Sequence, residues 1–125
     1  MKIVVTIFFI VTILSFSIKD EEFFCNETTC NVTRTIDKKY VLKLREKDRF
    51  LITIQINNSR YTKTIKDSIS GNYERIDDTL KFKVDYVSEK YLLKNGQSFF
   101  YAYKKDSLVG LKIPFALPTS FVRKK

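Results

Sequence analysis

The chain has 125 residues, 44% apolar and 30% charged, with 23 Lys+Arg against 14 Asp+Glu, a net charge of +9, three Gly, two Pro and no His. That composition fits one folded domain and excludes a disordered segment, a linker and a fibrous protein. Without His there is no Ser-His-Asp triad, no Cys-His pair, no His-based zinc site and no His proton switch, so the expectation is a protein that is not an enzyme and carries no cofactor.

Residues 1–17 read as a secretory signal peptide. Lys2 is followed by the apolar run Ile3 to Leu14, and Ser15 and Ser17 supply small residues at the −3 and −1 positions of a cut after Ser17. The alternative is an uncleaved signal anchor, because Ile3 to Ile18 is uncharged throughout and a spanning helix needs about 17 to 25 such residues. A buried core helix fits less well, since the run is apolar on every side and is followed at once by Lys19-Asp20-Glu21-Glu22. Ile18 stands where a lipoprotein would carry its attachment Cys. The expected location is secreted or periplasmic, within the cell envelope, with a membrane association only if the leader is retained.

An N-terminal segment, 18–38, holds the only two cysteines, Cys25 and Cys30. In an oxidising compartment the pair predicts a disulfide across a small Asn-Thr turn, worth about 2 kcal/mol for so short a loop. A two-thiolate Cu(I) site and free thiols are the alternatives. No metal is expected, because other soft ligands are missing. Three Asn-x-Thr/Ser triplets begin at Asn26, Asn31 and Asn57; in a eukaryotic or viral protein they would be glycan acceptors on the surface.

From residue 39 to 113 the dominant period is two, the signature of strands with one buried face. Tyr40, Leu42 and Leu44 form the first inward set, and Glu46-Lys47-Asp48-Arg49 turns the chain into Phe50, Ile52, Ile54 and Ile56. Tyr61 and Ile65 alternate with polar neighbours, Ser70-Gly71-Asn72 breaks the pattern, and Asn72 to Ile76 is a short strand before an Asp77-Asp78 turn. Leu80, Phe82, Val84 and Tyr86 then alternate with Thr79, Lys81, Lys83 and Asp85. Asn95-Gly96 predicts a type I′ hairpin joining Lys90–Leu93 to Gln97–Tyr103, and Lys104 to Ser107 turns into Leu108–Ile113. The prediction is an all-β fold, a small antiparallel barrel or sandwich of about eight strands. Residues 114–125 form an extended basic C-terminal arm, in which Phe115 and Leu117 would cover one end of the barrel.

The order of a Cys-bearing turn, a strand pair joined by Leu44-Arg45-Glu46-Lys47-Asp48-Arg49-Phe50, the step Gly71-Asn72-Tyr73 and the strand entry Asp77-Asp78-Thr79-Leu80-Lys81-Phe82 resembles small lipocalin-like envelope proteins of bacteria of the NlpE type. The resemblance covers residues 25 to 112 and implies a barrel. Members of that family carry Cys-x-x-Cys, whereas four residues separate Cys25 from Cys30 here, so the family's metal-related role is not carried over. Small periplasmic lysozyme inhibitors are similar around Ser70-Gly71-Asn72-Tyr73, but a basic lysozyme would be repelled by a chain of this charge.

Asp77-Asp78 reads as a turn rather than a catalytic carboxylate pair, since adjacent turn residues point apart. Phe99, Tyr101 and Tyr103, alternating next to Lys104-Lys105, have the form of a stacking strand for single-stranded nucleic acid. Core packing accounts for them better, and export argues against a nucleic-acid partner. The excess charge at Lys63, Lys81, Lys83, Lys104 and Lys105 suits an acidic protein, an anionic lipid or a cell-envelope polymer. The function expected is therefore an exported binding protein, lipocalin-like, that meets an acidic or apolar partner through a basic face or the barrel mouth. The alternatives are a membrane-anchored envelope component for structure or stress sensing, and a secreted viral or parasite inhibitor directed at a host.

Overall fold

A computed structural model describes residues 21–30, 34–59, 64–89 and 93–123; the leader, Asn31 and Lys63 lie outside them. The described residues form eight antiparallel strands: β1 Glu21–Cys30, β2 Thr35–Arg45, β3 Arg49–Asn58, β4 Ile65–Ile76, β5 Thr79–Val87, β6 Ser98–Lys104, β7 Ser107–Lys112 and β8 Ser120–Arg123. Each strand pairs with the next, and β8 pairs back onto β1, so the sheet closes into a barrel with no free edge. The choice between barrel and sandwich is settled as a barrel.

Strict alternation builds the wall. Leu42, Leu44, Phe50, Ile52, Ile54, Leu80, Phe82, Val84, Phe99 and Tyr101 all point inward and are buried. On the side formed by β3, β5, β6 and β8, aromatic rings fill the interior: Phe82 stacks on Phe99 at 4.9 Å, Phe50 meets Phe82 edge-on at 5.0 Å, and Tyr101 meets Phe121 at 5.4 Å. Such geometries add about 0.5 to 1.5 kcal/mol per pair beyond burial alone. Tyr86, expected inside, is 53% exposed near the end of β5.

Gly71 makes one of these packings possible. It sits where the β4–β5 register shifts, and a Cβ there would lie 2.0 Å from the Lys83 carbonyl oxygen and 2.9 Å from the Phe50 ring. The break read at Ser70-Gly71-Asn72 is thus a bulge inside one twelve-residue strand, not its end.

Four sequence expectations are corrected. The Cys-bearing segment is no turn: Glu21–Cys30 is a strand paired with β2 along its whole length. Cys25 and Cys30 are therefore five residues apart on one extended strand, about 16 Å at the usual rise per residue, and face opposite sides of the sheet. Both are free thiols, since cysteines whose Cα atoms lie beyond about 7 Å cannot be bridged. The C-terminal arm is no mere cover, because Ser120–Arg123 is the strand that closes the barrel between β7 and β1. Finally, the partner of β6 is β5 and not a strand near Leu93. At Asn95-Gly96 only Gly96 takes a positive φ, 87°, and Gln97 N–H donates to the Lys94 carbonyl at 3.1 Å, the pattern of a type II turn rather than I′.

Candidate functional site

The two ends of the barrel differ in chemistry. At one end Glu21, on β1, accepts from the Tyr103 hydroxyl at 2.6 Å and from Arg123 at 3.3 Å. The Arg75 guanidinium lies 4.5 Å above the Tyr103 ring, and that of Arg123 lies 5.4 Å from the Phe23 ring. Strands β1, β4, β6 and β8 are laced together there by this cluster. Burial and the bond to Glu21 push the Tyr103 hydroxyl far above its ordinary pKa.

At the other end the described residues border a cleft. Cross-strand register places inward side chains from β1 to β4 in successive rows, and polarity rises row by row toward the mouth. The deep row, Phe23, Leu42, Ile52 and Ile69, is wholly apolar and buried. The next is Cys25, Tyr40, Ile54 and Asp67; the one beyond it is Glu27, Lys38, Ile56 and Ile65. A cleft of about 650 Å³ occupies this mouth, walled by Tyr40, Ile54 and Ile56 from the strands and by Ile113, Pro114, Phe115, Ala116 and Leu117 from the β7–β8 connection, with Glu27 and Lys38 at its lip.

Three contacts hold the β7–β8 wall in place. Tyr101, fully buried, donates its hydroxyl to the Pro118 carbonyl at 2.6 Å. Gly110 N–H donates to the Thr119 carbonyl at 2.8 Å, and Leu117 N–H reaches the Pro114 carbonyl at 3.2 Å. Leu117 is buried as expected, whereas Phe115 is fully exposed at the rim. A Cβ at Gly110 would lie 2.8 Å from Ile113, so a bare position there lets Ile113 fold back to line the cleft.

Electrostatics at the mouth are set by burial. Tyr40 is 4% exposed, and desolvation, reinforced by the charges of Glu27 and Cys25, pushes its hydroxyl up to about 12. Burial, and then Glu27, also raises the Cys25 thiol. Both groups stay protonated and neutral at physiological pH and can donate hydrogen bonds inward. Asp67, on the Tyr40 row, is 5% exposed. Its Oδ1 accepts from the Ser88 hydroxyl at 3.3 Å, and Ser88 Oγ in turn accepts from Ser68 N–H at 2.9 Å. Asp67 Oδ2 is buried without a hydrogen-bond partner.

Of the basic residues singled out in the sequence, the described ones, Lys81, Lys83, Lys104 and Lys105, are not brought together at this mouth. Lys81 and Lys83 project from the outer wall of β5; Glu74 lies directly opposite Lys81, and Asp85, two residues along from Lys83, is ion-paired with Arg49. Lys104 and Lys105 sit at the closed end, beside the β6–β7 turn. Asn26 and Asn57 are exposed on the outer wall, Asn57 accepting from the Thr64 hydroxyl at 2.8 Å. Phe99 and Tyr101 are wholly buried and offer no stacking platform. Among the described residues no group of three or more His, Cys, Asp or Glu is placed to hold a metal. The cleft residues were legible only as core positions, and Asp67 carried no signal at all, since a lone Asp in a polar stretch looks solvent-facing.

No family model matches the chain, and no curated protein or solved structure is significantly similar to it. The antiparallel barrel is compatible with a lipocalin-like architecture; nothing in the comparisons supports membership of the NlpE-type family.

Proposed function

We propose that this chain is an exported, non-enzymatic binding protein that takes a small apolar ligand in the mouth of its barrel. The observation that carries the reading is the cleft, whose volume falls within the range of about 300 to 1,000 Å³ usual for small-molecule sites and whose walls are aliphatic with a few convergent polar groups. The cleft lies at the end of the barrel opposite the cluster of Glu21, Tyr103 and Arg123. The basic outer wall supports a role for acidic partners less well, because Glu74 and Asp85 interrupt it beside Lys81 and Lys83. Export rests on the leader at residues 1–17.

Titration of the purified chain with Nile red tests the cleft. Saturable fluorescence enhancement is expected, weakened about tenfold or more by Ala116→Trp or Ile56→Trp, which fill the cleft, and unchanged by Lys81→Glu or Lys83→Glu. Absence of saturable binding, or binding indifferent to both Trp substitutions, would overturn it. For export, native material outside the cytoplasm is expected to begin at Ile18; chains that keep Met1 would favour the anchored alternative.

A further inference from the structure

Phe115 is the most exposed large apolar residue among the described ones, and its place is fixed. Leu117 N–H donates to the Pro114 carbonyl at 3.2 Å, so Phe115 and Ala116 occupy the two corners of a tight turn whose last residue, Leu117, is buried. Turn corners favour Pro, Gly, Asn, Asp and Ser, and nothing in the local backbone calls for an aromatic ring there. Leu111, near the end of β7, and Ile65, at the start of β4, are each more than half exposed. Ile65 is the register partner of Ile56 in the cleft wall, so all three apolar side chains stand at the mouth end of the barrel.

Basic side chains share this end. Lys38, opposite Glu27 at the lip, lines the cleft together with Phe115, and Lys112 lies three residues before Phe115. Lys39 and Lys66 are exposed nearby on β2 and β4. The exposed carboxylates on the mouth ends of β1 to β4 and β7 are Glu27 and Asp37, so among the described residues of these strand ends ammonium groups outnumber carboxylates, in a chain of net charge +9.

An exposed aromatic ring flanked by ammonium groups suits the interface of an anionic bilayer. The ring settles at headgroup level, and each basic residue near the surface strengthens partitioning about fivefold. A second copy of the chain fits less well, because it carries the same net charge and is repelled. A stable protein partner fits less well too: such interfaces bury about 800 Å² on each side around an apolar core, far more than three side chains supply.

We propose that the mouth of the barrel docks on an anionic lipid surface, with Phe115 entering the headgroup layer and Lys38 and Lys112 meeting lipid phosphates. Docked in this way, the cleft faces the bilayer, the phase in which apolar small molecules concentrate. Docking goes beyond the ligand reading of the cleft and stands apart from it, since vesicle binding and Nile red binding are separate measurements and either can fail alone.

The chain has no Trp, so Phe115→Trp places a single fluorescent reporter at the tip of the turn. On the full chain, vesicles of equal parts phosphatidylglycerol and phosphatidylcholine should shift its emission to the blue, at about tenfold less lipid than phosphatidylcholine alone requires. Leu111→Trp is a second reporter expected to shift likewise, so that a folding defect in one variant, visible by circular dichroism, leaves the other informative. Ile76→Trp, exposed at the opposite end of β4, should not shift. Residues 1–17 are common to all variants, so the contrast between reporters reads which end of the barrel meets the lipid. Adding Lys112→Glu to the Phe115 reporter should raise the lipid needed about fivefold or more, whereas Lys81→Glu, the same change in net charge on the outer wall of β5, should leave it within about twofold. Absence of a shift, an equal shift with phosphatidylcholine alone, an equal shift at Ile76, or equal damage from Lys81→Glu would overturn the proposal. A blue shift that grows with protein concentration and needs no vesicles would also overturn it, in favour of self-association.

Discussion

The Tyr103 hydroxyl donates to Glu21 Oε2 at 2.6 Å and joins the sixth strand to the first across 82 positions of sequence. Since Arg123 of β8 reaches the same carboxylate oxygen, one acidic side chain holds three strands at the closed end. Glu21 is partly exposed, so solvent screens the arrangement and its net worth is modest. Tyr103→Phe is expected to lower unfolding free energy by about 1 kcal/mol in urea titrations. Glu21→Gln should cost more than Tyr103→Phe, because Arg123 loses its partner as well. Equal or higher midpoints in either variant would show that closure does not depend on this contact.

High pH should destabilise the barrel in a defined window. Tyr40, Tyr101 and Tyr103 all have hydroxyls raised above the ordinary tyrosine value, chiefly by burial. In the unfolded chain they ionise near 10, so above that pH the unfolded state binds fewer protons than the native one and unfolding free energy falls. Stability contributed by these groups is complete below pH 10 and is lost as pH climbs through their folded values, about 12 for Tyr40. Melting temperature measured from pH 7 to 12 should turn downward near 10, less steeply in Tyr103→Phe.

Adding a single methyl at Gly71 should be among the most damaging small changes. With the Lys83 carbonyl 2.0 Å and the Phe50 ring 2.9 Å from the added carbon, β4 and β5 must part or the aromatic core must shift. Gly71→Ala is expected to cost about 3 kcal/mol in denaturant titrations. Gly96→Ala, whose added carbon meets nothing but whose φ of 87° disfavours a side chain, should cost about 1 kcal/mol.

Thiol labelling separates the two cysteines. Intact mass without reductant should show two thiols and no internal bridge. Cys30 is exposed and Cys25 half-buried with a raised thiol, so a maleimide should modify Cys30 about tenfold faster under native conditions and both alike in denaturant. Loss of two mass units on isolation, reversed by reductant, would contradict the placement of both on one extended strand.

Tyr101 links stability to binding. Its buried hydroxyl is the hydrogen-bond donor to the Pro118 carbonyl at the root of the β7–β8 connection. Tyr101→Phe keeps the ring but strands that carbonyl, at a cost of about 1 to 3 kcal/mol. Nile red affinity should weaken with it, because Ile113 to Leu117 form one wall of the cleft. A variant with lowered stability and undiminished affinity would show that the loop is held by other means.

Local alternation carried most of the wall. Phe50 to Ile56 and Leu80 to Val84 are strands facing as their spacing implies, and the Asp77-Asp78 and Lys105-Asp106 turns fall where polar pairs interrupt apolar runs. Strand β1 left little trace, because its inward set is Phe23, Cys25, Glu27 and Thr29, with one large apolar residue, and Asn-Glu-Thr-Thr resembles a turn. It is extended because β2 offers it a partner at every position, which is tertiary context and not propensity. Strand β8 was hidden for the same reason: four residues with Phe121 alone buried gain their form from β1 and β7. The cleft was illegible as a site because its wall joins segments from Glu27 to Thr119 that only the closed barrel brings together.

Among the described residues the seam between β1 and β8 is the narrowest, Phe23↔Arg123 and Phe24↔Val122, against the full-length match of β1 with β2. A nascent polypeptide leaving a ribosome or a translocation channel must therefore wait about a hundred residues after Phe24 before its partner emerges. During that interval seven strands hang as a curled ribbon with two raw margins, open to neighbours of the same kind. Protection from self-association is thus a matter of timing, and a chaperone that shields the first strand until the eighth arrives would act at the most vulnerable moment of biogenesis.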